Sequence, residues 1–520
     1  MTPKRITRHG WLVLVLVCPL VAVGANAADL PLVDAVKAQD AAVVRTLLDD
    51  GADVNAPQPD GATALHWAAY RDDVETAGLL IAAGANVTAA NELGATPLWL
   101  AASNGSSAMV ERLLDAGADP NVALPGGETP VMSAARTGSA GAVRVLTERG
   151  ANVNVAEQSR GQTALMWAVA EGHHDTIRVL IEQGADVNAR STVRRRLMHA
   201  DSTNASQYDQ GIMWNRGGYT PLLFAARQGD VEAARLLVAA GADINDTAPT
   251  GASVLVVAAH SGQTAFAEFA LEAGADATAA GAGYNALHAA VLRGDLRVVK
   301  AMLSNGVDPN ARLENGTPLR RTSQDWYFNP AFKSATPFWL AAYYREPEIM
   351  RALVDAGADP TLTTLELRRE VFERAGGVGP PHVVGGFQSP LLAAVRGDST
   401  RGRFFNTSLR DVDGEERRAL DTVKLAVEMG TAIDAVDRSG TTALHTAAQR
   451  NFTTIVQFLA DSGADLNVKN EAGRTPLQLA IGAQRSRRFL VEDGRYPSGN
   501  TADLLRELGA DEPEPAPGRR

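Results

Sequence analysis

Nine histidines are the side chains in this sequence best suited to ligate a metal or move a proton. Their spacing supports neither role. A protein zinc site draws three or four ligands from set intervals, and no HExxH pair or comparable cluster occurs. His66, His288 and His445 instead fall in the near-identical strings TALH, NALH and TALH, so their role repeats along the chain. His173 follows Gly172 at another recurring position, and His174, His199, His260 and His382 share no ligand spacing. Serine chemistry lacks a G-x-S-x-G elbow, although a triad assembled from distant loops stays open. The glycine-rich run GGVGPPHVVGG, 376–386, has no lysine-serine ending and reads as a loop, not a phosphate cradle. No catalytic residue, metal or cofactor is therefore assigned.

Recognition chemistry is better represented. The segment RRRLMHADSTNASQYDQGIMWNRG brings Arg194, Arg195, Arg196, His199, Tyr208, Asp209 and Trp214 together. A second, RLENGTPLRRTSQDWYFNPAFKSA, repeats the mixture with Arg320, Arg321, Asp325, Trp326, Tyr327 and Phe328. Aromatic residues and arginine dominate the energetics of protein interfaces, which makes these segments candidate contact surfaces. The competing reading is structural: long ordered loops need a small core of their own, and the aromatics could supply it.

The chain has 520 residues with 49 Lys+Arg, 60 Asp+Glu and a net charge of −11. Lys4, Arg5 and Arg8 precede an apolar run from Trp11 to Val23 and the small residues Ala25-Asn26-Ala27, the pattern of a cleaved export leader. An apolar run of that length spans too little at about 1.5 Å per residue to cross a bilayer core of about 30 Å. Cleavage after Ala27 would remove three positive charges and no acidic ones, taking the net charge from −11 to −14. Nucleic acid is a poor partner for such a surface, because phosphate binding requires Lys and Arg to neutralise it. Cleavage would also remove Cys18, the one cysteine, leaving no disulfide or thiolate chemistry. The expected location is the periplasm or the exterior of a bacterial cell, with no membrane span after cleavage.

The elements that hold these residues are repeats. Glycines recur at Gly61, Gly94, Gly127, Gly161, Gly218, Gly251 and Gly283, each opening a string such as GATALHWAA, GATPLWLAA, GETPVMSAA, GQTALMWAV or GYTPLLFAA. About 23 residues on, each unit closes with a signature such as GADVN at Gly51 and Gly184. Thr63 is placed to cap a helix, Thr96-Pro97 fits a helix start, and Val74, Ala77, Leu80 and Ile81 give a second helix that stops at Gly84. One such helix pair cannot bury its own apolar faces, so the units must stack into a solenoid.

These strings and their period resemble the ankyrin repeat. The resemblance implies an all-α, curved solenoid of about twelve helix-pair units from residue 28 to 511, between the leader at 1–27 and a Pro-rich, disordered tail at 512–520. The opening stretch Asp29–Val54 lacks the opening motif and is expected to be an N-terminal cap. Five insertions interrupt the array, at about 190–217, 312–335, 362–388, 398–418 and 484–500. In ankyrin-like stacks the first three would project from the hairpin turns beside the concave surface. Exposed positions by correspondence with the family include Tyr70, Arg71, Arg136, Arg227, His260, Arg293, Tyr343 and Tyr344. Arg71, Arg136, Arg227, Arg293, Arg396 and Arg450 would form a file suited to an acidic partner, or each arginine would merely pair locally. The function implied is a monomeric, exported scaffold that binds a protein or peptide through its concave face and hairpin loops. Two alternatives stand beside it: a small-molecule-binding protein or enzyme with a pocket formed by the inserted loops, and a secreted effector directed at a host.

Overall fold

Each repeat carries the signals that start and stop its own helices. In the computed structural model, which describes residues 30–199, 211–315, 328, 332–368, 373–374, 377–378, 383–397, 412–487 and 500–513, the helix Pro97–Asn104 begins at Thr96. The Thr96 hydroxyl accepts from the Trp99 amide at 3.2 Å, and Pro97 occupies the first turn, where no amide is needed. Its end is Gly105, held at φ 74°, a left-handed stop that a side chain would strain. The second helix of the preceding unit, Val74–Ala82, is capped by Asp73, whose carboxylate accepts from the Thr76 amide at 3.0 Å. Alanine pairs such as Ala68 and Ala69 are fully buried between helices, where nothing larger would let consecutive units close up.

The pairs stack into one continuous array. A single buried apolar cluster runs from Leu32 to Ala510, and each fully buried leucine in it, such as Leu65 or Leu98, contributes about 1.5–3 kcal/mol. The degenerate first unit is a full helix pair, Pro31–Lys37 and Ala41–Asp49. Asparagines at the turns lock neighbouring units together: Asn55 donates to Gly84 O at 3.1 Å and accepts from Asn86 N at 2.7 Å. Asn310 makes the same two bonds, to Gly357 O at 3.2 Å and from Asp359 N at 2.8 Å, although the second insertion lies between. The insertion therefore leaves the stacking intact.

Two expectations about the insertions change. The first and third contain antiparallel strands: Arg194–His199 pairs with Gly211–Arg216, Glu366–Arg368 with Val383–Gly385, and Glu373–Arg374 with Gly377–Val378. The strands of the first hairpin read RRRLMH and GIMWNR, with no apolar-polar alternation that would mark them as strands in the sequence. The fourth insertion is shorter than predicted, because the helix Val412–Glu428 begins inside it. Glu416 explains its direction: its carboxylate accepts from the Thr454 amide and hydroxyl at 2.8 and 2.6 Å, pinning the extension to the next unit. At the last insertion the helix Pro476–Arg487 likewise runs past residue 484. Residues 1–29, where a leader is expected at 1–27, and the residues from 514 onward, where a disordered tail is expected at 512–520, lie outside the described part, and no described helix is long and apolar enough to cross a membrane.

Candidate functional site

The seventh and eighth residues after each cap lie one helical turn beyond the fourth and share its face. Along this file the units differ sharply. Tyr70 is 55% exposed, Arg71, Arg136 and Arg227 are exposed, and Ser103 and Ala170 are half-buried, so the file is open from the unit at Gly61 to the unit at Gly218. From the unit at Gly251 to the unit at Thr336 no residue of the file is fully exposed, and exposure returns at Gln449. His260, Arg293 and Tyr343 are half-buried, Leu292 is 0% exposed and Tyr344 only 3%. The expectation that Tyr344 stands exposed is thus corrected, and the expected exposure of His260, Arg293 and Tyr343 is reduced.

The cover comes from the second insertion. Phe328 is fully buried, with its ring centroid 5.0 Å from Tyr284 and 6.3 Å from His260, so it reaches back over the preceding units. Phe332 sits 4.5 Å from Tyr343 and 5.3 Å from Trp339. These two aromatics perform the structural role, tucking the insertion onto the first helices. Arg320, Arg321, Asp325, Trp326 and Tyr327 lie outside the described residues. The first and third insertions also meet: the strand Gly211–Arg216 approaches Glu373–Arg374 within 8 Å between Cα atoms. Arg194 and Arg195 are exposed at the base of that first hairpin. Arg196 stands opposite Trp214 in its register and His199 opposite Gly211, with their side chains outside the described part.

The arginine file does not act as one surface. Arg136 donates to Glu128 at 3.3 Å and lies 5.3 Å from the Trp167 ring centroid. Arg293 donates to Ser261 O at 3.2 Å, Arg396 to Asp437 at 2.6 Å, and Arg450 to the carbonyls of Val395 and Arg396 at 3.0 and 2.6 Å. Helix C-termini leave such carbonyls unpaired, and the guanidinium groups fill the vacancy. Arg71 and Arg227 keep their guanidinium groups open, with no ion pair or side-chain hydrogen bond among the described residues. A partner's acidity therefore has little support from the file as a whole.

The repeated histidines are structural. His66 Nδ1 receives the Thr63 amide at 3.1 Å, and its Nε2 meets Ala95 O of the next unit at 3.1 Å. His288 and His445 repeat this with Asn285 and Ala311, and with Thr442 and Arg474. Burial lowers all three pKa values, that of His288 to about 4, so they are neutral near pH 7. His174 is different: its Nε2 meets both Asp230 carboxylate oxygens at 2.8 and 2.9 Å, joining units across the first insertion. Tyr284 is pushed above the ordinary phenol range, first by burial and then by the Tyr219 phenol, so it stays protonated. No three His, Cys, Asp or Glu side chains converge as metal ligands among the described residues.

Two positions carried a sequence signal that helical reasoning missed. Arg190 and Arg312 each stand six residues after a closing glycine, Gly184 and Gly306, in units that an insertion follows. Both prove to hold an insertion at its base. Tyr284 and Tyr219 had no such signal, because their importance depends on what covers them.

The ankyrin-repeat family model matches residues 32–123, 98–191, 222–313, 255–364 and 415–500, and the chain belongs to this family. Human B-cell lymphoma 3 protein is 26% identical over 249 residues, covering 40% of this chain and 49% of that protein. Human ankyrin repeat and SOCS box protein 16 is 34% identical over 232 residues, 44% of this chain and 47% of that one. A putative ankyrin repeat protein of fowlpox virus is 27% identical over 199 residues, 38% of this chain and 91% of its own. The chain spans about half the length of the first two. The solved ankyrin repeat domain of human ASB11 aligns at 27% identity and a TM-score of 0.39, covering 47% of this chain and 98% of that domain.

Proposed function

We propose that the protein is an exported scaffold that holds a protein or peptide on the open stretch of its concave face, between the units at Gly61 and Gly218. Ankyrin-repeat proteins typically bind other proteins, and this chain is one of them. The observation that carries the assignment is the contrast in exposure: Tyr70, Arg71, Arg136 and Arg227 face solvent, while from the unit at Gly251 to the unit at Thr336 Phe328 and Phe332 of the second insertion lie against His260, Tyr284 and Tyr343. A half-exposed Trp67, packed edge-on against Tyr70 at 5.8 Å, adds the kind of amphipathic ring that dominates interface energetics. Export rests on the cationic, apolar leader with its small-residue end, and a periplasmic or secreted monomer is the form proposed.

The test is affinity capture from cell-envelope extract, comparing the wild type with the double variant Tyr70→Ala, Arg71→Glu and with Arg396→Ala. Loss of the captured protein only with the first supports the open stretch. Equal capture by wild type and double variant would overturn it. N-terminal sequencing of exported material tests the leader independently, with Ala28 as the expected first residue and Met1 as the refuting one.

A further inference from the structure

Three arginines meet around Thr192 at the base of the first hairpin. The Thr192 amide donates to Arg160 O of the preceding turn at 2.7 Å. Gly161, which follows Arg160, and Gly217, which follows Arg216, are both pressed so closely on Thr192 that a Cβ at either would overlap it. Arg194 stands two residues farther along the same strand. Positive charge therefore gathers at one corner of a chain whose net charge is −11. Arg160, Arg194 and Arg195 are exposed and make no ion pair or side-chain hydrogen bond among the described residues. The carboxylates of the flanking turns are engaged elsewhere. Glu157 accepts from the amides of Ser159, Arg160 and Gln162 at 2.5, 2.7 and 3.1 Å, and Asp246 accepts from Arg190 and from the Thr220 hydroxyl at 2.8 Å.

The ribbon above this corner has an open edge. Its register, with Arg194 opposite Arg216, continues down to the base, where the Ser191 amide donates to Tyr219 O at 3.0 Å while the next amide, of Thr192, turns the other way to Arg160 O. Backbone amides alternate in this manner between the two edges of an extended strand. The amides of Arg194, Arg196 and Met198 thus point as that of Thr192 does, away from Gly211–Arg216, and no further strand lies on that edge among the described residues. The same alternation makes Arg194 and Arg216 a pair without mutual backbone hydrogen bonds, the kind whose opposing Cβ atoms come closest, at roughly 4.5–5.5 Å. Like charges placed directly opposite destabilise a ribbon, and a negative group between them removes the penalty.

We propose that the outer edge of Arg194–His199 receives an acidic peptide segment in extended conformation, as a third strand. Main-chain hydrogen bonds to Arg194, Arg196 and Met198 would hold the segment, as in other strand additions to a sheet edge. Selection comes from charge: acidic side chains at alternate positions of the segment meet the face of Arg194 and Arg216, and those between them meet the face of Arg195. The same arginines repel the edge of a second copy of this chain, which keeps the open edge from pairing with itself. This site goes beyond the open stretch of the concave face and does not require it.

Fluorescence anisotropy of labelled peptides with the full exported chain tests the proposal, in buffer of physiological ionic strength. The probe is a peptide of about eight residues alternating Glu and Val. One comparison peptide alternates Gln and Val, and the other alternates Glu and Pro, which keeps the charge but removes half of the backbone donors. The Glu-Val peptide is expected to bind, and each comparison peptide to bind at least tenfold more weakly. The double variant Arg194→Glu, Arg195→Glu should weaken the Glu-Val peptide at least tenfold, with circular dichroism and melting temperature unchanged. Failure of the wild type to bind the Glu-Val peptide, or wild-type affinity in that double variant, would overturn the site. Equal affinity for the Glu-Pro peptide would overturn strand addition, and tighter binding of inorganic polyphosphate than of the Glu-Val peptide would overturn the peptide as ligand. The variant Tyr70→Ala, Arg71→Glu should bind the Glu-Val peptide as the wild type does, so this site and the open stretch fail separately.

Discussion

Arg190 and Arg312 occupy the same place in two different repeat units and make the same pair of bonds. Arg190 Nη1 donates to Gly218 O at 3.0 Å and Thr247 O at 3.1 Å, and Arg312 Nη1 donates to Ser334 O at 2.8 Å and Thr363 O at 2.9 Å. In each case one carbonyl closes the insertion and the other belongs to the next hairpin turn. Arg190 is further fixed by Asp246.

Replacing either arginine should therefore loosen one insertion and leave the array standing. Charged hydrogen bonds of this kind contribute about 1.5–3 kcal/mol, and Arg190→Ala or Arg312→Ala is expected to lose about that much locally. Hydrogen exchange is the measurement: protection should fall in Arg194–His199 and Gly211–Arg216 for the first variant and around Ser334 and Ala335 for the second. Unchanged exchange in both would refute the staple.

Phe328→Ala should open the covered part of the concave face. Truncating a buried phenylalanine costs about 3–5 kcal/mol, but this one anchors a loop, so the loss should appear as local opening. The readout is exchange in the helix Ala286–Arg293, where Leu292 is now fully buried. Faster exchange there, with an unchanged global denaturation midpoint, is expected. A lowered midpoint with no local change would refute the covering role.

The three repeat histidines set an acid limit. Each is neutral and buried, with a folded pKa below the usual 6.5. Below pH 6.5 the unfolded chain binds protons that the folded chain refuses, so stability falls as pH drops from 6.5 toward the folded value, about 4 for His288. At about 1.4 kcal/mol per pKa unit, His288 alone accounts for a loss of about 3 kcal/mol over that window. Urea denaturation at pH 7.0, 5.5 and 4.5 checks this. Equal stability across the series would contradict it.

The repeats themselves were legible because their signals are local. A capping threonine at Thr96, a proline at Pro97 and a left-handed glycine at Gly105 act within one helix, so a string of nine residues discloses them. Asn285 and Ser253 stand where most units carry threonine, yet both cap, since a short polar side chain is all the position requires. The first hairpin carries no such local signal: RRRLMH and GIMWNR lack a strand's alternation, and their pairing is made between segments that the sequence keeps apart.

By itself, then, the sequence determined the repeat, its helix pairs, its structural histidines and the places where the array is interrupted. Only the tertiary structure decided which surfaces remain open. Tyr70 and Tyr344 occupy neighbouring positions of the same motif, yet one is 55% and the other 3% exposed. No property of either unit makes that difference. It arises because the second insertion returns Phe328 and Phe332 to the first helices, and because Arg136, Arg293, Arg396 and Arg450 find partners several to many residues away. Burial and pairing are properties of the assembled neighbours, and a periodic sequence states them only for the units that have nothing inserted between them.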